Sequence, residues 1–346
     1  MSSLQISLAV AGGVVLAALV AHGAWVARRN APKQAQPDTQ PQPGADSPAA
    51  DDQRREPGFD GPLEAMPLPH LEKRPGLDAL IDVIAPIALD GLVSGDAALA
   101  AMPATRRAGS KPFAIEGQND ATGVWEMPQA GQRYRAFQAG VQLANRTGHL
   151  NEIEFSEFVM KAQGFADAVN GSPEFPDMIE EVGRARELDQ FASDHDAHLA
   201  FTLRARAAAW SPGFVHQAAG RLGFVPGAIP GRMVLAASET GLPPILGLAF
   251  DSQAAFSDDP DQSAIREIRL SLDVPLVQRA ERPFVRLREA AMALAATMDG
   301  VITDDNAQII RPESLDAIGA DLEQLYDTLD AHDLAAGSPQ ARRLFS

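Results

Sequence analysis

From Leu4 to Ala27 the chain carries no Asp, Glu, Lys or Arg, and the run ends on Arg28 and Arg29. As a helix it extends roughly 36 Å, enough to cross the ~30 Å hydrocarbon core of a bilayer with some tilt. An export signal places its basic residues before a shorter apolar core. Here "MSSLQIS" has none, whereas Arg28, Arg29 and Lys33 follow the run. A buried core helix fits less well than an uncleaved single-span anchor over residues 1–29. The positive-inside rule then leaves the N-terminus outside and everything after Arg28 cytoplasmic. Trp25 suits the interface beside those arginines, and His22 the same edge. Ala9, Gly13, Ala17 and Ala21 recur every fourth position, a spacing that permits weak self-association through the membrane helix.

Residues 30–76 are a different polymer, dense in Pro, Gln, Asp and Ala and without a sustained apolar period. Such a composition cannot bury enough surface to offset its ordering entropy, so a disordered, semi-stiff linker is expected. The whole chain has a formal charge of -17, which argues against nucleic acid as a partner. It contains no cysteine, so disulfides and cysteine-ligated zinc are excluded.

Beyond Leu77 short strands and amphipathic helices take over. "HLAFTLRARA" alternates Leu199, Phe201, Leu203 and Ala205 on one face, the mark of a half-buried strand. "SPGFVHQAAGRLG" opens on Ser211 and Pro212 and closes on Gly223, which predicts a helix. Further strands are expected over 228–236, 244–251 and 265–274. Helical periods follow through Phe284, Leu287, Ala291, Leu294 and Met298, and through Leu315, Ile318, Leu322, Leu325 and Leu329. The order β-α-β-β-β-α, a small hairpin, then α predicts an α+β fold, an antiparallel sheet with helices packed on one face.

Two stretches carry a family resemblance. "AALVAHGAWVARRN", with "GFVPG", "LSLDVP" and "GVITDDNAQIIRPESL" in that order, resembles the bacterial cell-division family ZipA. In the last piece Gly300, Asp304, Asp305, Pro312 and Leu315 stand where the family has its own residues. The resemblance covers the anchor and residues 198–330. It implies an inner-membrane, single-pass protein of the division septum, not an enzyme and without cofactor. Its cytoplasmic domain would bind the C-terminal peptide of the tubulin-like protein FtsZ on the bare sheet face and tether the Z ring to the inner membrane through residues 4–27. A scaffold recognising another division or cell-wall peptide is the alternative. Alternation nominates Thr202, Arg204, Ile245, Gly247, Ala249, Arg269 and Ser271 for that face, with Ile229 and Met233 as neighbours. The sequence departs from the family at Arg269 and Ser271, where large apolar residues are the pattern.

Residues 77–197 repeat the rhythm β-α-β-β-β-α, α, without the small hairpin. They form either a divergent second copy of the module or an unrelated subdomain that shares its element order. One antiparallel sheet made by strands 80–89, 112–118, 123–127 and 133–144 is what a second copy requires. Register leaves open whether Trp125 or Val124 and Met127 face outward there. Residues 331–346 read as a flexible tail.

Little resembles catalytic machinery. His195 and His198 sit in "DHDAH", a polar junction, and "DDPD" at 258–261 lacks the Gly and terminal Glu of a calcium loop. "RRAGSK" around Ser110 has no phosphate-loop spacing. Asn145-Arg146-Thr147 spells a glycosylation triplet on what the topology makes the cytoplasmic side. The chemistry legible here is binding.

Overall fold

Phe113, Ile115 and Gly117 alternate along one strand with Pro112, Ala114 and Glu116, and the computed structural model turns the first set toward helices and the second outward. It describes residues 76–255, 264–304 and 306–346. The expected anchor, the linker before Gly76 and "DDPD" lie outside those residues. Among the described residues no helix is long and apolar enough to cross a membrane.

The first unit comprises β1 (Asp82–Ser94), α1 (Gly95–Ala101), β2 (Arg107–Ala108), β3 (Lys111–Asn119), β4 (Trp125–Glu126) and β5 (Arg133–Gln142). A hairpin of β6 (Ala144–Asn145) and β7 (Gly148–His149), then α2 (Glu152–Ala168), β8 (Gly171–Pro173) and α3 (Met178–His195), complete it. The second unit runs β9 (His198–Ala205), α4 (Pro212–Gly220), β10 (Phe224–Pro226), β11 (Arg232–Leu235), β12 (Leu246–Phe250) and α5 (Ser252–Ala255). Then come β13 (Glu267–Asp273), α6 (Pro283–Met298), β14 (Gly300–Thr303), α7 (Pro312–Ala331) and α8 (Pro339–Leu344). The fold class is α+β with antiparallel sheets.

The helix starts follow local chemistry. Asn151 caps α2 in a capping box with Glu154, and Ser211 caps α4 with Pro212 in its first turn. Each of these caps satisfies backbone N–H groups that a helix start otherwise leaves orphaned.

The strand orders are β2-β3-β5-β1-β8, with β4 also on β3, and β10-β11-β12-β13-β9-β14. Matching β1 to β9, β3 to β12, β5 to β13 and β8 to β14 makes four consecutive strands, ending on one edge of each sheet, identical in order, with every pair antiparallel. The helices fall in the same gaps: α1 with α4, α2 with α6, α3 with α7. The strands expected at 80–89, 112–118, 123–127 and 133–144 do lie in one antiparallel sheet. The final strand that the sequence reading omitted from the first unit is present as β8, three residues paired with Ile87, Ala88 and Leu89.

Each unit has a core, and Ile81, Ala144 and Ala192 of the first join that of the second. In the first, Val83, Ile115, Phe137 and Val141 meet Phe155, Phe158 and Phe165 of α2; in the second, Phe201, Leu248 and Leu270 meet Leu287, Leu294 and Met298 of α6. Phe137 and Phe165 meet edge to face with centroids 5.0 Å apart, a favoured aromatic geometry. Trp210 is fully buried and donates from Nε1 to the Met298 carbonyl at 2.7 Å.

The flexible tail expected after residue 330 is corrected. Helix α7 runs to Ala331, and α8 follows with Ser338 as N-cap, Pro339 at its start, and Ala341, Leu344 and Phe345 buried. Arg343 reaches into the first unit, where Nη1 donates to Asp82 Oδ2 at 2.9 Å and Nη2 pairs with Oδ1. Gln142 Nε2 donates to the Arg343 carbonyl at 2.8 Å, and Gln340 Nε2 to Asp78 Oδ2 at 2.8 Å. Arg146, in the β6–β7 turn, is bidentate on Asp196 and on Asp273. Those carboxylates hold its guanidinium well above its ordinary pKa. The two units are thereby stapled together from both sides.

Candidate functional site

On the second sheet the inward residues Phe201, Leu203, Leu246, Leu248, Phe250, Ile268, Leu270 and Leu272 are buried. Ala200, Thr202, Arg204, Arg232, Val234, Gly247, Ala249, Arg269 and Ser271 on the opposite face are all at least partly exposed. Strand register arranges them in rows. Thr202, Arg269, Ala249 and Arg232 lie side by side across four strands, and Ala200, Ser271, Gly247 and Val234 form the next row. The result is a shallow floor of small side chains flanked by guanidinium groups. A Cβ on Gly247 would stand 2.8 Å from Ser271 Oγ, so that part of the floor is already closely fitted.

Of the nominated residues, Thr202, Arg204, Gly247, Ala249, Arg269 and Ser271 share this face. Ile229 is 53 % exposed in the turn before β11. Met233 and Ile245 are corrections. Met233 pairs with Leu248 and therefore points into the core, 2 % exposed. Ile245 precedes β12, where its N–H donates to the Leu235 carbonyl, and its side chain is buried. The outward positions on this side are Arg232, Val234 and Val225, the last pairing with Val234 and 49 % exposed. Their pairing identifies them: Arg232 lies opposite Ala249, and Val234 opposite Gly247 and Val225. Arg204 is already paired with Glu267 at 3.3 Å, both side chains well exposed.

The first unit holds a deeper feature. A cleft of about 670 Å³ opens where β2 and β4 diverge over β3, walled by Leu77, Met102, Pro103, Phe113, Trp125 and Met127. Trp125 is 36 % exposed, so the aromatic lines the cleft instead of filling the core. The carboxylates here are engaged. Glu116 accepts from Leu77 N–H and Gln138 Nε2, and Glu126 accepts from Asn119 Nδ2 and the Tyr134 hydroxyl.

The other polar sequence features are structural. Ser110 Oγ donates to Glu154 Oε1 at 2.6 Å, and a carboxylate there repels phosphate. Burial pushes that carboxyl up, but the bonds from Ser110 and Asn151 outweigh it and leave the pKa below the ordinary value. Asn145 is buried and its Oδ1 accepts from the buried Lys111 ammonium at 2.8 Å. His198 Nε2 lies 3.0 Å from Asp273 Oδ2, whereas His195 Nδ1 contacts the Phe191 carbonyl. Among the described residues no cluster of His, Asp and Glu fit to hold a metal ion is present. No protein-family model matches the chain, and no curated protein matches it in sequence.

Proposed function

We propose that this chain is a membrane-anchored cell-division protein of the ZipA kind, whose second unit takes the C-terminal peptide of FtsZ on the uncovered face of its sheet. The observation that carries the reading is that face itself. Helices cover one side of the sheet, and the other shows two rows of small and basic side chains with Val225, Val234 and Ile229 at one end. A surface of this kind suits a short peptide with apolar anchors and carboxylates. The span over residues 4–27 would place it at the inner membrane and the linker would give it reach. In this reading the first unit is a divergent duplicate, supported by the shared strand order and helix positions. The role is binding, without catalysis or cofactor.

The small side chains limit apolar burial, so carboxylates on the peptide share the work with Arg232 and Arg269. Exposed ion pairs contribute only ~0.2–1 kcal/mol each and weaken with salt. Titration of the full-length chain with the FtsZ C-terminal peptide should therefore give modest, salt-sensitive binding. Ile229→Glu or Val225→Glu should weaken it strongly, because each sets a carboxylate against an acidic ligand. Ile245→Glu is unsuitable as a test, since that side chain belongs to the core.

A second reading, recognition of another division or cell-wall peptide, is favoured by the apolar cleft beside Trp125 in the first unit. Binding of the FtsZ peptide that survives Val225→Glu but is lost in Trp125→Ala would move the site there. No binding of the peptide to the full chain would exclude FtsZ.

A further inference from the structure

The second unit has another opening, on the helical side of its sheet. A slot of about 330 Å³ separates the start of α6 from α7, with Phe284, Leu315, Gly319, Leu322 and Tyr326 as its walls. A Cβ on Gly319 would come within 3.1 Å of the Phe284 ring, so glycine keeps the slot open. Tyr326 is 3 % exposed, yet its hydroxyl is buried without a hydrogen-bond partner among the described residues. Burial pushes that phenol up to about 12, and the neutral hydroxyl can donate as well as accept. Leaving such a donor unmet is costly. A protein core rarely tolerates that without a use for the group.

The mouth of the slot is the N-terminus of a 16-residue helix that no side chain caps. Its N-cap, Arg282, has φ 48 and ψ 53; Pro283 has no N–H and the Arg286 N–H donates to the Arg282 carbonyl, so the first-turn donors without an intrahelical acceptor are those of Phe284 and Val285. Anions are favoured at such an end. Charge around it is almost balanced. Arg279 is held by Glu323 and by Asp327 at 2.8 Å, and Arg288 by Asp316 at 2.7 Å. Arg282 is exposed and makes no side-chain contact of this kind among the described residues.

We infer that this slot binds the carboxyl-terminal end of a peptide with an apolar last residue. The carboxylate would meet the α6 N-terminus and Arg282, the side chain would fill the space beside Phe284, Leu315 and Leu322, and the preceding amide carbonyl would accept from Tyr326. Each element answers one observation: a carboxylate for an uncapped helix with a spare guanidinium, an apolar group for an apolar slot, and a carbonyl for a buried donor. The site lies on the opposite side of the sheet from the proposed FtsZ face, so either can stand without the other.

The test uses the full-length chain in lipid nanodiscs, with methyl NMR at Leu315 and Leu322 and N-acetylphenylalanine as probe. Saturable shifts in the millimolar range are expected, absent with N-acetylphenylalanine amide, which lacks the carboxylate. Arg282→Ala should weaken binding about two- to fivefold at low salt. Tyr326→Phe should weaken it about three- to tenfold while leaving 3-phenylpropanoate, which has no amide carbonyl, unaffected. Tyr326→Phe should also raise the melting temperature of the unliganded chain, because it deletes an unmet donor. Equal binding of acid and amide, loss of both probes alike in Tyr326→Phe, or no saturation at all would overturn the assignment.

Discussion

Replacing Arg343 by Ala tests the staple that joins the last helix to the first strand. Asp82 is fully buried, and Arg343 supplies both of its guanidinium contacts from a side chain 20 % exposed. Deleting one partner of a buried pair typically costs about 3–5 kcal/mol, because the other charge is left uncompensated. The partial exposure of Arg343 argues for the lower end, about 3 kcal/mol. For a cooperative unit of this size that is a fall of about 6–12 °C in melting temperature. The pH dependence carries the diagnosis. Burial already holds the Asp82 carboxyl above its ordinary pKa, against the lowering effect of Arg343 and the Asp78 N–H. A carboxyl raised in the folded state favours folding below its unfolded pKa, and that contribution is lost as pH rises through the folded value. Removing Arg343 raises the folded pKa further. The gap between variant and wild type should therefore be widest at neutral pH and close as acid protonates Asp82. Calorimetry of the full-length chain across that window is the assay, with Asp82→Asn/Arg343→Ala expected to recover part of the loss. A variant melting within about 1 °C of wild type at neutral pH, or a gap that widens in acid, would refute the reasoning.

Two further substitutions probe the units separately. Gly95→Ala would place a Cβ 1.7 Å from the Gln129 carbonyl oxygen at the start of α1. The backbone there must shift, so a loss of about 1–3 kcal/mol is expected in denaturant unfolding; an unchanged midpoint would show that the 129 turn yields freely. Trp210→Phe keeps a ring but deletes the buried donor to the Met298 carbonyl. The lost hydrogen bond and the lost volume should cost about 2–4 kcal/mol, seen as an earlier thermal transition with unchanged far-ultraviolet circular dichroism before it.

Alternation and capping made most of the second unit legible. Ile268, Leu270 and Leu272 turned inward as their spacing required, and Ser211-Pro212 began its helix where that pair predicts. The misreadings have particular causes. Ser338-Pro339 carries the same start signal as Ser211-Pro212, but it heads only six helical residues, and Leu344 and Phe345 are buried in a core that joins second-unit residues to Ile81 and Ala144 of the first, far apart in sequence. A strand over 228–236 puts Ile229 and Met233 on one face, but Gly227 to Gly231 form a turn, so exposed Ile229 says nothing of the strand's outer face and pairing with Leu248 sets Met233 inward. Strand β8 is three residues of Gly, Ser and Pro with no apolar period to announce it, and it exists because β1 offers an edge. The slot beside Tyr326 had no sequence signal, since tyrosine, leucine and glycine at helical spacing spell an ordinary packing face.

The two sheets share an order of strands but not an outer surface, and the difference bears on where the proposed peptide site can lie. On the first sheet Gly140 of β5 faces outward, and a Cβ there would lie 2.4 Å from Leu77 Cδ2. Leu77 is held in that place by its N–H, which donates to Glu116 Oε1 at 3.0 Å on the neighbouring strand. The chain thus covers part of the first sheet's outer face with its own entry, while Arg343 closes the end at Asp82. At the matching strand of the second sheet, β13, Arg269 and Ser271 remain at the surface, and Gly247 beside them meets only the Ser271 hydroxyl. A peptide lying across the first sheet would have to displace Leu77, whereas the second sheet asks for no such displacement. Of two faces built to one plan, the second carries no such cover among the described residues, which is what the proposed peptide site requires of it.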